Sequence, residues 1–185
     1  MEIKVVTSPK VYLVGSTMSD NNGIYDFFED EGINPDKLDL NVQEEDLIPE
    51  LAGRVCYMSY ENPRPGGNKA YLKNILDINH GSVLEHSSFN FLVTNVSRSL
   101  THELVRHRVG VAYSQLSQRY VEHNGVFVMP WEIQQSTQVN QDHWKQVMQD
   151  CQDAYEGLVT ALDYTMSKQG MSPTDVRKAC RQAAR

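Results

Sequence analysis

The sequence predicts a mixed α/β (α+β) fold, a single domain over residues 1–185 with a small antiparallel or mixed sheet flanked by long helices. Three observations carry that class. Short runs rich in β-branched and aromatic residues (IKVVT, VYLVG, SSFNFLV and GVFVMP) are spread along the chain and read as strands. Between and after them lie segments with a helical apolar period, the longest from about residue 140 to 168. The 185 residues, 40% apolar and 22% charged, suit one well-filled core.

Taken in order, IKVVT and VYLVG are two short strands split by Ser8-Pro9. DFFEDEG, residues 26 to 32, ends a short exposed helix. From Val42 to about Met58 the spacing of Leu47, Leu51 and Val55 predicts an amphipathic helix. ENPRPGG has the proline and glycine content of a loop. Asn68 then opens a helix with Tyr71, Leu72, Ile75, Leu76 and Ile78 mostly on one side. HGSVLEH is an irregular link, and SSFNFLV a half-buried strand with Phe89, Phe91 and Val93 inward. A helix from Ser97 or Ser99 through Arg108 should stop near Gly110, leaving 109–120 as loop with a little extended chain. GVFVMP adds a short strand. The helix of 140–168 carries Trp144, Val147, Met148, Cys151, Ala154, Tyr155, Leu158, Val159 and Leu162 on its period, with Gly170 as its cap. Ser172-Pro173 starts the last helix, serine at the cap and proline at the first position.

Charge and cysteine usage narrow the function. A formal net charge of −7 argues against a general nucleic-acid binder, which needs a broad basic surface. No apolar run approaches the roughly 20 residues that cross a bilayer, and the N-terminus lacks a signal peptide's apolar core. A cytoplasmic protein with no membrane partner is expected. Cys56, Cys151 and Cys180 are widely spaced and fit a reducing compartment; all three read as packing residues. Positive charge is local: Arg98, Arg106, Arg108 and Arg119 form one island, and Arg177, Lys178, Arg181 and Arg185 another. Two basic islands on an acidic chain suit a small anionic ligand.

The stretch RHRVGVAYSQLSQRY, residues 106 to 120, concentrates that chemistry. On a helix, consecutive residues point about 100° apart, so at least one of Arg106, His107 and Arg108 should turn inward or across an interface. A buried arginine needs an anion, and Glu103 is the one acid nearby. Ser114, Gln115, Ser117, Gln118 and Arg119 add donors in a loop, and arginine with serine hydroxyls is suited to gripping a phosphate. HELVRH is not a metal site, because His102 and His107 are five apart and diverge by about 140° on a helix.

With those residues the chain resembles a flavin-dependent thymidylate synthase of the ThyX family. The resemblance rests on RHR followed by YSQLSQRY, on HGSVLEHSSFNF at 80–91, on VSRSLTHELVRHR, and on the terminal RKACRQAAR, and covers most of the chain from about residue 50. It implies a ThyX-like fold and an enzyme that methylates C5 of a uridine monophosphate, dUMP to dTMP. FAD is the cofactor, and NADPH and methylenetetrahydrofolate are co-substrates. It implies a homotetramer with sites shared between subunits. It also implies that Arg106, His107, Arg108 and Ser82 contact FAD with Glu85 and His86 nearby, and that His80 lies near the flavin and the folate. Gln115, Ser117, Arg119 and Arg185 would bind the nucleotide, and Glu103 falls where a nucleotide-contacting side chain sits. Ser117 is the motif serine, polarising the uracil.

Two departures from the family pattern stand out. Eight residues, VGVAYSQL, separate RHR from Ser117 where the family has seven. The family also continues past the position of Arg185 into a segment that completes the site, so a further C-terminal segment is expected. The longer loop raises an alternative: a UMP or UMP/dUMP methylase of nucleoside-antibiotic biosynthesis. An alternative of another class is a non-catalytic nucleotide-binding module, which would be colourless and would not take up FAD.

Overall fold

The computed structural model describes residues 1–185, and its residues group into two units, Met1–Lys10 with Val93–Arg185, and Val11–Leu92. The mixed fold class holds, with the strands arranged as two separate two-stranded sheets. β1 (Lys4–Val6) and β2 (Lys10–Ser16) lie on either side of Ser8-Pro9.

In the unit Val11–Leu92, α1 (Asn21–Asp30) starts at Asp20, whose carboxylate accepts from the Asn22 amide at 3.0 Å. The sequence expectation of an exposed helix is corrected here. Ile24 and Phe28, four residues apart, are buried and form the centre of the core with Ile33, Leu38, Leu47 and Tyr60. The Phe28 and Tyr60 rings meet edge-on at 5.5 Å. α2 (Glu44–Val55) opens on Glu44, Glu45 and Asp46, the charge that suits a helix N-terminus. Leu47 is buried as expected, but Val55 is exposed. The deep positions of the later turns go instead to Glu50 and Arg54, a buried ion pair at 2.6 Å. Asn68 on α3 (Gly67–Asp77) donates to Glu50 Oε2 at 2.8 Å and to the Asp46 carbonyl at 2.9 Å, tying α3 to α2. Gly66 precedes α3 at φ +96, a conformation that glycine alone adopts readily. The expected irregular link after α3 is a 3-10 helix, Gly81–His86, packed on α2 and α3.

β3 (Phe89–Thr94) pairs with β2, and the Thr17 amide donates to the Ser88 carbonyl at 3.0 Å at the sheet's end. Here the sequence reading is overturned. Phe89, Phe91 and Val93 do not turn inward; every residue of β3 is exposed, as are Val11, Tyr12, Leu13 and Val14 of β2. An alternating strand predicts one covered face, and no element of the unit Val11–Leu92 covers either face of this sheet.

In the other unit, α4 (Arg98–Leu104) is capped by Ser97 Oγ, which accepts from the Leu100 amide at 3.1 Å. β4 (Val126–Val128) pairs parallel with β1 in the register Lys4 to Val126 and Val6 to Val128. α5 (Trp131–Gln134) leads into α6 (Gln138–Met166), whose 29 residues extend about 43 Å. A 3-10 turn and Gly170 at φ +74 end it, in keeping with the expected cap. α7 (Pro173–Ala183) packs on α6 and is capped by Ser172. The apolar stripe expected on α6 is only partly covered. Tyr155 is buried, whereas Val147, Cys151, Ala154 and Leu158 are exposed. Its most deeply buried residue is the polar Gln152, which bonds His123 Nδ1 at 2.7 Å and Glu156 Oε1 at 2.8 Å.

Candidate functional site

α4 ends four residues earlier than its apolar period predicts. The amides of Arg106 and His107 donate to the carbonyls of Glu103 and Leu104, three residues back, which tightens and closes the helix. Arg106, His107 and Arg108 therefore leave the helix in a turn, and the 100° argument that placed one of them inside does not apply. All three are exposed. Arg106 meets Glu103 Oε2 at 3.2 Å in an exposed pair, which contributes little to stability. Arg108 and His107 carry no such partner. Gly110 turns the chain at φ +69, and 109–120 is irregular, as the sequence expects.

That irregular segment is nonetheless held at several points. The Gln115 amide donates to Thr101 Oγ1, and Arg98 Nη2 donates to the Leu116 carbonyl at 2.9 Å, fixing the middle of the loop to α4. From just beyond α7, Arg185 donates to the carbonyls of Gln118 at 2.5 Å and Val121 at 2.9 Å. Arg181 donates to the Tyr120 carbonyl at 2.7 Å and to Glu122 Oε2 at 2.9 Å. Ser117 Oγ accepts from the Arg119 amide at 3.3 Å, so its own hydrogen is left to donate elsewhere. The Arg119 guanidinium is exposed beside it. The result is a loop with a fixed backbone that presents Arg108, Ser117 and Arg119, the arrangement in which loops over rigid elements bind anions.

Of the residues expected at the nucleotide, Ser117 and Arg119 are thus free to act, while Gln115, Glu103 and Arg185 are engaged within the chain. Arg98, Thr101 and Arg181 were missed as supports of the loop. Arg98 and Arg181 fall in the two basic islands, and nothing in the local sequence marks their partners as backbone carbonyls 18 and 61 residues away.

The residues expected near the flavin ring lie in the other unit. His80 sits at the cap of the 3-10 helix and its amide bonds the Ile75 carbonyl at 3.0 Å. Ser82 and Glu85 are three apart on that helix, where side chains three apart eclipse, so they share one face. His80, Ser82, Glu85 and His86 are all exposed.

A family model described as thymidylate synthase complementing protein matches residues 39–185, spanning α2 to α7 and both groups of residues above. The chain belongs to the thymidylate synthase complementing protein family. Among curated relatives of the family, the flavin-dependent thymidylate synthase of Mycolicibacterium vanbaalenii is 44% identical over 141 residues, covering 75% of this chain and 55% of that protein. The same-named protein of Mycobacterium avium is 42% identical over 147 residues, with the same shares. The chain spans about half the length of the curated relatives it matches. Among solved structures, a UMP/dUMP methylase PolB from Streptomyces cacaoi bound with 5-Br dUMP shares the fold. The TM-score is 0.54 at 22% identity, over 97% of this chain and 68% of that one.

The three cysteines of the chain separate into two kinds. Cys180 is buried and its thiol is pushed up by that burial, so it is a packing residue as the sequence predicts. Cys56 and Cys151 are exposed, which corrects their reading as packing residues.

Proposed function

We propose that this chain forms the flavin- and nucleotide-binding part of an enzyme that methylates C5 of dUMP to give dTMP. FAD is the cofactor, methylenetetrahydrofolate the carbon donor and NADPH the reductant. The observation that carries this reading is the loop after α4, whose backbone is held by Arg98, Arg181 and Arg185 while Arg108 and Arg119 are exposed and the half-buried Ser117 keeps its hydroxyl hydrogen free to donate. Arg106 and Arg108 suit the diphosphate of FAD, because guanidinium forks match phosphate oxygens. In the assembly that the family resemblance implies, with sites shared between subunits, His107 and Ser82 would add donors to the cofactor, with Glu85 and His86 nearby and His80 near the flavin and the folate. FAD, when bound, supplies the hydride that completes the methyl group.

The chain's own residues then bind and orient the nucleotide. Arg119 meets the nucleotide phosphate. The Ser117 hydroxyl, with its oxygen accepting from the Arg119 amide, donates its hydrogen to a uracil oxygen and stabilises charge developing there. A titration of the purified whole protein with FAD, followed by a dTMP assay with dUMP, methylenetetrahydrofolate and NADPH, tests the reading. Flavin uptake and product are expected. Arg108→Ala should weaken FAD binding by about tenfold or more, since bonds to charged groups are the stronger ones. Failure of the protein to take up flavin would overturn the proposal.

The same reading includes a homotetramer. The sheet of β2 and β3 leaves Val11, Leu13, Val14, Phe89, Phe91 and Leu92 exposed over its two faces, and exposed apolar surface of this kind marks an interface. A second copy of the chain is the occupant we assign to it. Light scattering should give four chains per particle, and an active monomer would refute the assembly.

A second reading, UMP as an accepted substrate, is favoured by one observation. The loop carries an extra residue before Ser117, and Gly110 at φ +69 lets it bend outward. A wider loop has room for a ribose 2′-hydroxyl.

A further inference from the structure

Pro49 lies inside α2, where it has no N–H to give to the carbonyl of Glu45, four residues before it. That carbonyl is nonetheless satisfied: Ser87 Oγ donates to it at 2.5 Å across 42 residues of sequence. Ser87 is the residue that closes the 3-10 helix Gly81–His86, through its amide to the Leu84 carbonyl at 3.2 Å. One residue thus holds the end of the 3-10 helix with its backbone and α2 with its hydroxyl. We infer that Pro49 and Ser87 form a latch, with Ser87 a positioning residue for the face carrying Ser82 and Glu85. The inference rests on the flavin reading above for what that face binds.

The anchor side of the latch is rigid. The next carbonyl along, that of Asp46, accepts from Asn68, which also bonds the buried Glu50–Arg54 pair, so the first turns of α2 are fixed from beneath. The neighbour of Ser87 is fixed as well, because the Ser88 amide donates to Thr17 Oγ1 at 2.7 Å. The held side needs this support. A 3-10 helix has poorer hydrogen-bond geometry than an α-helix and seldom runs beyond 3–4 residues, yet this one spans six. An ordinary residue at 49 would satisfy the Glu45 carbonyl from within α2 and leave Ser87 without an acceptor of its own. Proline reserves that acceptor for the serine.

The test compares Ser87→Ala, Ser87→Thr, and the double variant Ser87→Ala with Pro49→Ala, in the whole protein. Hydrogen exchange at the amides of 81–87, FAD affinity and thermal stability are measured for each. Ser87→Ala should speed exchange and weaken FAD by about 3- to 10-fold, the range open to one neutral hydrogen bond. Ser87→Thr, which keeps the hydroxyl, should restore both. In the double variant the new amide at 49 satisfies Glu45, so stability should return while exchange stays fast and FAD stays weak. Recovery of slow exchange together with stability would overturn the latch, since the serine would then merely satisfy a helix carbonyl. Unchanged exchange in Ser87→Ala would overturn it too. If the wild-type protein takes up no flavin, the flavin reading fails by itself, and the exchange measurements still decide the latch.

Discussion

Arg185 donates to the carbonyl of Gln118 at 2.5 Å, and through its second nitrogen to that of Val121 at 2.9 Å. A guanidinium is built for two such bonds at once, and its five fixed donors leave others facing outward. The cation therefore serves the loop whether or not a phosphate lies nearby. Replacing Arg185 with Ala should free residues 118–121 and lower dUMP affinity by about 3- to 10-fold, the discount for solvent exposure included. Lysine should not restore it, because one ammonium cannot span both carbonyls in a fork. Calorimetric titration of dUMP into the three proteins checks this, and full rescue by lysine would mean that charge alone matters.

The pair Glu50–Arg54 gives the largest stability prediction. Both side chains are almost fully buried, and Arg54 also donates to the Ser59 carbonyl at 2.6 Å. Arg54→Met leaves the Glu50 carboxylate buried without its cation, a change that typically costs about 3–5 kcal/mol. Replacing both residues with apolar ones of similar volume should be far milder. Urea unfolding of the single and double variants measures the difference.

How far the fold and site could be read in advance depended on the range of the interactions. Ser172-Pro173, Gly170 and the period of α6 act within a few residues, and the structure bears them out at the expected places. The outer strand faces were misread because alternation in Phe89, Phe91 and Val93 signals burial without saying which molecule does the burying. The end of α4 was misread because nothing after Leu104 breaks a helix before Gly110; the loop contacts of Arg98 and Thr101, on α4 itself, come from residues 115 and 116. The basic island of Arg177, Lys178, Arg181 and Arg185 was legible, but the use of Arg181 and Arg185 for gripping backbone carbonyls was not. At the candidate site, residue types alone pointed to a donor-rich loop holding Ser114, Gln115, Ser117, Gln118 and Arg119, and the bonds from Arg98, Thr101, Arg181 and Arg185 that hold it needed the structure.

Thiol chemistry should divide along the burial of the cysteines. Cys56 and Cys151 are exposed, whereas the Cys180 thiol is buried and its ionisation pushed up. Since the thiolate is the reactive form, a thiol reagent should label two residues of the native protein and the third only after unfolding. Cys56→Ser and Cys151→Ser should retain the thymidylate formation proposed above. Loss of product in either would bring a cysteine into the chemistry and change the reaction class.

α7 should loosen in acid from its first turn. The Asp175 carboxyl is held below its ordinary value of 3.8, first by the Ser172 hydroxyl at 2.7 Å and then by Lys178. A carboxyl lowered on folding stabilises the fold above its ordinary value, and that contribution fades as pH falls through the lowered one. Exchange at the amides of 173–178 should therefore rise as pH falls below about 4 and level off once the carboxyl is protonated in the folded protein too. Asp175→Asn should show no such acid step. An identical pH profile in wild type and variant would show that this carboxyl is not coupled to the helix.

The loop before Ser117 carries the last prediction. The extra residue falls among Val109, Gly110, Val111 and Ala112, where Val109 is 97% exposed and Gly110 adopts φ +69, so the segment turns outward at its start. In a pocket closed around deoxyribose, a 2′-hydroxyl would be buried without a partner, at a cost of roughly 1–3 kcal/mol or about 5- to 150-fold in affinity. A bend one residue longer moves the backbone outward and admits the hydroxyl or a bridging water. The intact protein should therefore methylate UMP as well as dUMP, and deleting Val111 should reduce UMP turnover far more than dUMP turnover. Gly110 must stay in that variant, because only glycine adopts its backbone conformation at no steric cost. If the shortened protein handles both nucleotides as before, the loop does not set the sugar preference. Equal loss of both would instead mean that the deletion displaces Ser117 and Arg119, and FAD affinity, which the proposed function assigns to Arg106 and Arg108 ahead of the deletion, would then tell local displacement from general unfolding.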